Sequence, residues 1–312
     1  VVALRELIMT SPNPQIFRQR LLEDFDVYES VGCDGEGTVL FTGYFSPVLD
    51  AQLEPDDPDD TPLFTRPSDL ATHVSTGEPL GRRNADGSLS EWPSRREIEG
   101  SNLFSGSELV YLEDPLSAYI AHVNGSAKLR MDDGSVMFVG YDGKTDRPYK
   151  GLGTSLVESG LADPTQLNLT LVRRLHRQYP TQVNDLILDN ESYVFFREYD
   201  GGTWPAGSLG FPVTAERTVA TDKSVYPRGG VVLVETQTNT FSGPRPFTQF
   251  MVDQDTGGAI RAPGRADLYM GTGSAAEILA GGQYAEGRLY YFFLKPEQVA
   301  SVNVDWSSPG AR

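Results

Sequence analysis

Asp255 and Asp267 are the only acidic residues in a stretch rich in glycine and proline, residues 255–273. Side chains alternate between the two faces of a strand, so Arg265, Asp267 and Tyr269 are predicted to share one face, with apolar residues between them on the other. The apolar face can enter a core, and the Asp267 face can then line a groove. An aspartate held on a strand beside an aromatic ring can donate a proton if burial raises its pKa. The same residues also fit a hairpin with a purely structural Arg–Asp ion pair.

Other reactive side chains are few and far apart in the sequence. The single cysteine is Cys33, and the three histidines are His73, His122 and His176. The histidines do not have the spacing of metal ligands, and no local signature pairs Cys33 with a histidine as a nucleophile. We therefore expect no metal site and no cofactor. The acidic loop at 53–60 lacks the glycine and terminal glutamate of an EF-hand, so we interpret it as a solvated loop.

Composition limits the class of protein. The chain has 312 residues and a formal net charge of -17, with 32 Gly and 21 Pro. A protein this acidic repels nucleic acid, which we exclude as a partner. The many turn-forming residues favour short strands over long helices, and no apolar run is long enough for a transmembrane helix. Because the chain begins at Val1, we expect that a signal peptide or lipid anchor was removed or that the chain was trimmed. Separately, we expect the protein to be a monomer.

The predicted elements divide the chain into strand-rich ends and a mixed middle. Apolar residues at helical spacing predict helices over residues 1–27, and a strand-like pattern follows at 36–48. We predict a mainly β fold in which a barrel formed by residues 1–47 and 201–312 is interrupted by a smaller β-rich domain with some helix, residues 48–200. The strands predicted near the C-terminus are 231–235, 247–252, 265–270 and 289–294.

Several motifs follow one another in a recognisable order. They include Phe41–Val48, Asn124–Leu129, Asn190–Phe196 and Asp255–Gly273, and together with the shorter matches between them they extend over roughly residues 36–296. In this order they resemble the membrane-bound lytic murein transglycosylase A family. The resemblance implies a double-psi β-barrel that is interrupted by a second, smaller β-rich domain.

The resemblance also implies an activity and a catalytic residue. Members cleave the β-1,4 bond between N-acetylmuramic acid and N-acetylglucosamine in peptidoglycan and leave a 1,6-anhydromuramic acid end. The catalytic aspartate of the family falls on Asp267, its second signature aspartate on Asp255, and its substrate-contacting threonine on Thr42. The implied partner is the glycan strand of peptidoglycan. The implied location is the periplasm or cell envelope, in association with the outer membrane.

Further candidate substrate contacts come from the motifs and from the predicted strand. Tyr44, Asn124 and Ser126 lie in the family motifs, while Arg265 and Tyr269 share the predicted face of Asp267. Tyrosine rings can stack on sugar faces and still hydrogen-bond at the hydroxyl edge. Because of their place in the motifs or on the face of Asp267, all five residues are predicted to bind substrate.

Three functional hypotheses remain open from the sequence. In the first, protonated Asp267 donates to the glycosidic oxygen and then accepts a proton from the sugar's own C6 hydroxyl, which attacks C1. In the second, an endoglucanase-like hydrolase uses Asp267 as acid and Asp255 as base on a water molecule. In the third, a non-catalytic module only binds glycan. Product mass separates the first two, because hydrolysis adds one water and transglycosylation adds none.

Overall fold

The structure is a computed structural model that describes residues 1–74, 77–208 and 210–299. The end of the segment predicted as 201–312, from residue 300 onward, lies outside the described residues. The strands in chain order are β1 (Phe25–Glu29), β2 (Val39–Ser46), β3 (Val48–Gln52), β4 (Thr61–Phe64), β5 (Leu70–Thr72), β6 (Pro79–Arg83), β7 (Leu89–Ser90), β8 (Glu108–Leu112), β9 (Ser126–Met131), β10 (Val136–Lys144), β11 (Val194–Glu198), β12 (Thr218–Thr221), β13 (Val231–Thr238), β14 (Arg245–Asp255), β15 (Arg265–Thr272) and β16 (Tyr284–Leu294).

Helices are short and most lie in the middle of the chain. Among the described helices, none has the length and apolar character needed to cross a bilayer. They are α1 (Val2–Thr10), α2 (Pro14–Asp24), α3 (Arg95–Glu99), α4 (Pro115–Asn124), α5 (Leu152–Glu158), α6 (Leu169–Gln178), α7 (Pro180–Ile187), α8 (Gly273–Gly281) and α9 (Pro296–Val299).

The chain forms two compact units. The first consists of Val1–Thr42, Thr214–Tyr269 and the described residues from Gln283 onward, and the second of Gly43–Val213 and Met270–Gly282. A mainly β fold interrupted by an inserted unit is therefore confirmed. The domain boundaries predicted at residues 47/48 and 200/201 stay a prediction.

The first unit is a closed barrel. Its strands follow the order β16–β13–β14–β12–β15–β2, and β2 pairs back onto β16. The β12–β14 pair is parallel, whereas β13, β14 and β16 form antiparallel pairs. Side chains such as Phe41, Val232 and Leu268 fill the interior and are at most 1% exposed. The barrel wall thus has one buried face and one face that can carry polar groups.

The N-terminal helices cover part of the outside of this barrel. Asn13 caps α2 by accepting a hydrogen bond from the backbone N–H of Ile16, and Pro14 occupies the first turn, where its missing N–H has no cost. The predicted helix over residues 1–27 is wrong at its end. Phe25 begins β1, because it pairs with Leu294 of β16 and its ring packs against Phe292.

The second unit has its own sheet and core. Six strands follow the order β11–β10–β9–β3–β8–β4, and an isolated bridge between Thr65, just after β4, and Phe196 of β11 brings the two edges of the sheet together. Leu63, Val110 and Leu129 are fully buried in its core. This nearly closed sheet is the inserted β-rich unit, and a small sheet of β5, β6 and β7 accompanies it.

Candidate active site

Asp267 lies on the outer face of the barrel wall. Its neighbours Ala266 and Leu268 are 0% and 1% exposed and point into the barrel, so the alternation of β15 directs Asp267 away from the interior. The side chain of Asp267 nevertheless keeps only 14% of its surface exposed. The carboxyl group therefore lies in a partly enclosed position on a rigid strand.

Two donors converge on a single oxygen of this carboxyl group. The Thr42 hydroxyl donates to Asp267 Oδ1, and Arg265 Nε lies 3.5 Å from the same oxygen. Arg265 Nη2 also donates to Thr42 Oγ1 at 3.2 Å, which closes a triangle of contacts. Because both donors occupy Oδ1, the proton of a neutral Asp267 belongs on Oδ2. Oδ2 is then the atom able to donate to a substrate.

Burial sets the protonation behaviour of Asp267. Removal of the carboxylate from water raises the pKa of Asp267 above the ordinary value of 3.8. The positive charge of Arg265 and the hydrogen bonds from Thr42 and Arg265 act in the opposite direction and are outweighed. Asp267 consequently holds its proton at pH values at which an exposed aspartate is ionised, as a general acid must.

Replacing Arg265 by Ala should shift the pH dependence of catalysis. The guanidinium lowers the pKa of Asp267, so its removal raises that pKa further, and the falling limb of kcat/KM against pH moves to higher pH. The measurement is the initial rate of product release over a pH series. Arg245→Ala is a matched control, because Arg245 pairs with Glu216 on the surface of the same unit. An unmoved or lowered limb in Arg265→Ala would contradict the assignment of Asp267 as the acid.

Asp255 stands on the same face of the barrel wall as Asp267, and one strand, β12, lies between the strands that carry them. Ala220 of β12 is in register with Asp267 of β15 on one side and with Asp255 of β14 on the other. A register shift between Val219 and Ala220 brings Asp255 into this position, and such bulges commonly re-aim a side chain. Two strand spacings place the two aspartate Cα atoms about 10 Å apart. Asp255 Oδ1 also accepts the backbone N–H of Thr256 at 2.8 Å.

The loop between the two aspartates is held by side chains from elsewhere in the barrel unit. Asp222 accepts the backbone N–H of Ala262 at 2.8 Å, where the backbone has a positive φ of 68°. The hydroxyls of Ser30 and Tyr226 donate to the carbonyl of Pro263 at 3.0 and 2.7 Å. A non-glycine residue in this left-handed conformation is strained, so these bonds hold a loop shape that would otherwise be disfavoured. The shape fixes where β15 begins.

Gly264 completes this attachment by close contact between backbones. Its carbonyl accepts the N–H of Leu40, and a Cβ placed on it would lie 2.6 Å from the backbone nitrogen of Cys33. We expect Gly264→Ala to destabilise the protein by about 1–3 kcal/mol, because overpacking forces the backbone to move. The activity should fall as well, because the loop leads directly into the strand of Asp267.

Chemical unfolding and rates of product release measure both effects of Gly264→Ala. The matched control is Gly281→Ala, since Gly281 has open space around its Cβ position and lies at the end of a helix. Equal free energies of unfolding for the two variants would show that the backbone at Cys33 moves aside without loss of stability.

The predicted substrate contacts are divided between the two units. Tyr44 is half-buried, Asn124 donates to the carbonyl of Ile120 at 2.9 Å, and Ser126 is 6% exposed. These three residues belong to the second unit. Tyr269 is 2% exposed and is one of three consecutive buried residues near the end of β15. No face of the Tyr269 ring is open for a sugar to stack on.

Sequence reasoning did not identify a second polar cluster, which lies inside the barrel. Lys223 forms an ion pair with Asp253, which also accepts hydrogen bonds from the hydroxyls of Thr221 and Tyr291. Burial lowers the pKa of Lys223 and raises that of Asp253. The sequence signal that could have identified this cluster is Asp253, an acidic residue two positions before Asp255 on β14.

Over the described part of the chain, no group of three or more His, Cys, Asp or Glu side chains could hold a metal ion.

Comparisons with known proteins support one family. The model of the MltA specific insert domain matches residues 40–197, and the model of the 3D domain matches residues 217–293. A membrane-bound lytic murein transglycosylase A of Vibrio cholerae is 30% identical over 98% of this chain and 77% of its own length.

Solved structures agree with the sequence matches. The crystal structure of a membrane-bound lytic murein transglycosylase from Agrobacterium tumefaciens gives a TM-score of 0.78 at 26% identity and covers 96% of this chain and 86% of that one. Escherichia coli MltA with bound chitohexaose gives a TM-score of 0.75 at 25% identity, covering 94% and 82%. The predicted fold class, a double-psi β-barrel with an inserted β-rich domain, is confirmed. The chain belongs to the membrane-bound lytic murein transglycosylase A family.

Proposed function

We propose that this protein is a peptidoglycan lytic transglycosylase. It cleaves the β-1,4 bond between N-acetylmuramic acid and N-acetylglucosamine and leaves a 1,6-anhydromuramic acid end. Membership of the family supports the reaction class. The observation that carries the proposal is the partly enclosed Asp267, whose pKa is raised by burial and whose Oδ1 takes both neighbouring donors.

The reaction needs one carboxyl group in two successive roles. Asp267 Oδ2 donates its proton to the glycosidic oxygen while the bond to C1 breaks and positive charge develops on the sugar ring. The resulting carboxylate then takes the proton of the C6 hydroxyl, whose oxygen attacks C1 of the same sugar. Intramolecular attack replaces an external water and has a high effective molarity. The proton returns to Asp267, and no water is consumed.

Thr42 and Arg265 support the carboxyl group of Asp267 throughout this cycle. Their bonds to Oδ1 fix the plane of the carboxyl group, so that Oδ2 keeps a constant direction. They also stabilise the carboxylate that exists between the two proton transfers, because charge-assisted hydrogen bonds are stronger than neutral ones. Both residues are therefore assigned as positioning and electrostatic partners of the acid.

A hydrolytic mechanism is the second candidate, and the placement of Asp255 favours it. Inverting glycosidases hold their two carboxyl groups roughly 6.5–9.5 Å apart, which leaves room for a water molecule. Asp255 and Asp267 stand on one face of the barrel wall at a Cα separation of about 10 Å, from which aspartate side chains can bring their carboxyl groups within that range. In that mechanism Asp255 removes a proton from water while Asp267 protonates the leaving sugar.

Digestion of purified sacculi in water enriched in ¹⁸O distinguishes the candidates. Transglycosylation gives muropeptides with anhydro ends and no incorporated label, whereas hydrolysis gives reducing ends that carry one labelled oxygen. Release of labelled reducing ends alone would reject the transglycosylase mechanism. Binding to sacculi without release of any muropeptide would indicate a non-catalytic glycan-binding module.

The partner and location follow from the same proposal. We infer that glycan strands of peptidoglycan are the substrate and that the protein acts as a monomer in the periplasm at the cell envelope, in association with the outer membrane. A relative crystallised with chitohexaose and relatives named as membrane-bound support this inference. Asn124 and Ser126 are proposed contacts of the inserted domain with the glycan, and Thr42 and Tyr44 contacts of the strand that precedes it.

A further inference from the structure

An exposed tyrosine stands directly beside the Thr42–Asp267 contact. Tyr284 is the first residue of β16 and is in register with Thr42 of β2, and it is 77% exposed. Opposite residues of an antiparallel pair project from the same face, with Cβ atoms about 4.5–5.5 Å apart. Thr42 therefore has Asp267 as its hydrogen-bond partner on one side and Tyr284 as its cross-strand neighbour on the other.

Burial along the strands confirms which face this is. Val39 and Phe41 are 0% exposed and point into the barrel, so Thr42 points outward, as does its partner Tyr284. The order β15–β2–β16 then carries Asp267, Thr42 and Tyr284 side by side on the outer wall. Two strand spacings put the Cα atoms of Tyr284 and Asp267 about 10 Å apart.

Exposed aromatic residues are common singly, so it is the position of Tyr284 that needs an explanation. A tyrosine presents a flat apolar ring with a polar edge, which suits the C–H face of a pyranose and its hydroxyl or N-acetyl groups. Tyr269, which the sequence favoured for such a role, is buried. Tyr284 supplies an accessible ring on the same face as the acid.

We propose that Tyr284 is a stacking platform for a sugar ring of the glycan strand, close to the bond that Asp267 cleaves. The proposal rests on the proposed function, since it takes the substrate to be a chain of N-acetylated sugars. The ring extends the binding surface along the strand order, from Asp267 past Thr42 to β16. It contributes affinity for the glycan and takes no part in proton transfer.

Chitohexaose binding, measured by titration calorimetry in an Asp267→Asn background, tests the platform without turnover. We expect Tyr284→Ala to weaken binding about 3- to 10-fold and Tyr284→Phe to bind like the parent, because the ring is retained. With Asp267 present, Tyr284→Ala should raise KM for soluble glycan strands and change kcat little. The control is Tyr28→Ala: Tyr28 is 60% exposed on β1 of the same unit and faces Tyr291, far along the β16 ladder from Tyr284.

The outcomes separate this proposal from the proposed function. Unchanged binding in Tyr284→Ala, an equal loss in Tyr28→Ala, or a parent without affinity for chitohexaose would overturn the platform. If the Asp267→Asn parent binds chitohexaose but the protein with Asp267 intact releases no anhydro product from sacculi, the transglycosylase activity is refuted, and the comparison of tyrosine variants is still valid. Equal thermal unfolding midpoints of the variants exclude a folding defect.

Discussion

Asp267→Asn should abolish release of anhydro-muropeptides from sacculi and leave the barrel folded. Asparagine has the shape of the neutral acid but has no proton that it can give to a glycosidic oxygen. Loss of a general acid typically lowers the rate about 10²- to 10⁴-fold, and we expect the upper end because the same group also acts as the base. Chromatography of muropeptides with mass detection measures the loss.

Stability provides the internal control for Asp267→Asn. Burial raises the folded-state pKa of Asp267 above 3.8, so the ionised group destabilises the fold. This cost is absent below about pH 3.8, grows as the pH rises through the folded-state pKa, and is complete above it. An increase of one in that pKa corresponds to about 1.4 kcal/mol. The Asn variant should therefore be at least as stable as the parent at pH 7, with the difference vanishing in acid.

Two results would contradict this assignment. Near-normal release of anhydro product by Asp267→Asn would show that another group is the acid. A marked loss of stability at pH 7 would show that the inactivity reflects unfolding. The matched variant Asp255→Asn adds a test of mechanism: hydrolysis requires Asp255 as the base and predicts an equally large loss, whereas transglycosylation with a single carboxyl group predicts a smaller one.

The local pattern of β15 could be predicted because it depends on neighbours in sequence. The alternation of Arg265 and Asp267 with two buried residues follows from the period of a strand, and the apolar runs near the C-terminus are strands as expected. Tyr269 is buried although the pattern predicts a ring that faces a groove, because burial at the end of the strand depends on what packs there. Local periodicity carries no such information.

Long-range pairing could not be predicted from pattern. Phe25 continues a helical spacing of apolar residues, yet it pairs with Leu294 at the opposite end of the chain. Thr42 was assigned through the family resemblance, and its contact with Asp267 exists because β2 lies beside β15 in the barrel. The hydrogen bond from the backbone N–H of Ala262 to Asp222 also depends on long-range pairing, since residues 40 positions apart meet only when β12 and β15 pair.

The interior of the barrel holds the largest expected effect on stability. Asp253 is 0% exposed and the side chain of Lys223 is 6% exposed, and the two are in direct contact. Lys223→Met would remove the counter-ion and leave the carboxylate with the hydroxyls of Thr221 and Tyr291 alone. Breaking one side of a buried ion pair typically costs 3–5 kcal/mol, because the remaining charge is buried without compensation. We expect a loss of about this size in urea unfolding at pH 7.

The pH dependence of Lys223→Met identifies the cause. Burial already raises the pKa of Asp253, and the ammonium of Lys223 opposes that rise, so its removal raises the pKa further. The destabilisation should thus be smallest in acid, where Asp253 is neutral in both states, and should grow as the pH rises. A loss that does not vary with pH would instead indicate a packing defect.

Two companion variants fix the interpretation. Arg288→Met removes an ion pair with Glu29 whose side chains are 46% and 41% exposed, and exposed pairs of this kind contribute about 0–1 kcal/mol. The double variant Lys223→Met/Asp253→Leu removes the stranded charge and should recover part of the lost stability. Recovery stays partial because the Thr221 and Tyr291 hydroxyls then lose their acceptor inside the barrel. A double variant less stable than Lys223→Met would show that the carboxylate, even without its lysine, stabilises the barrel through those hydroxyls.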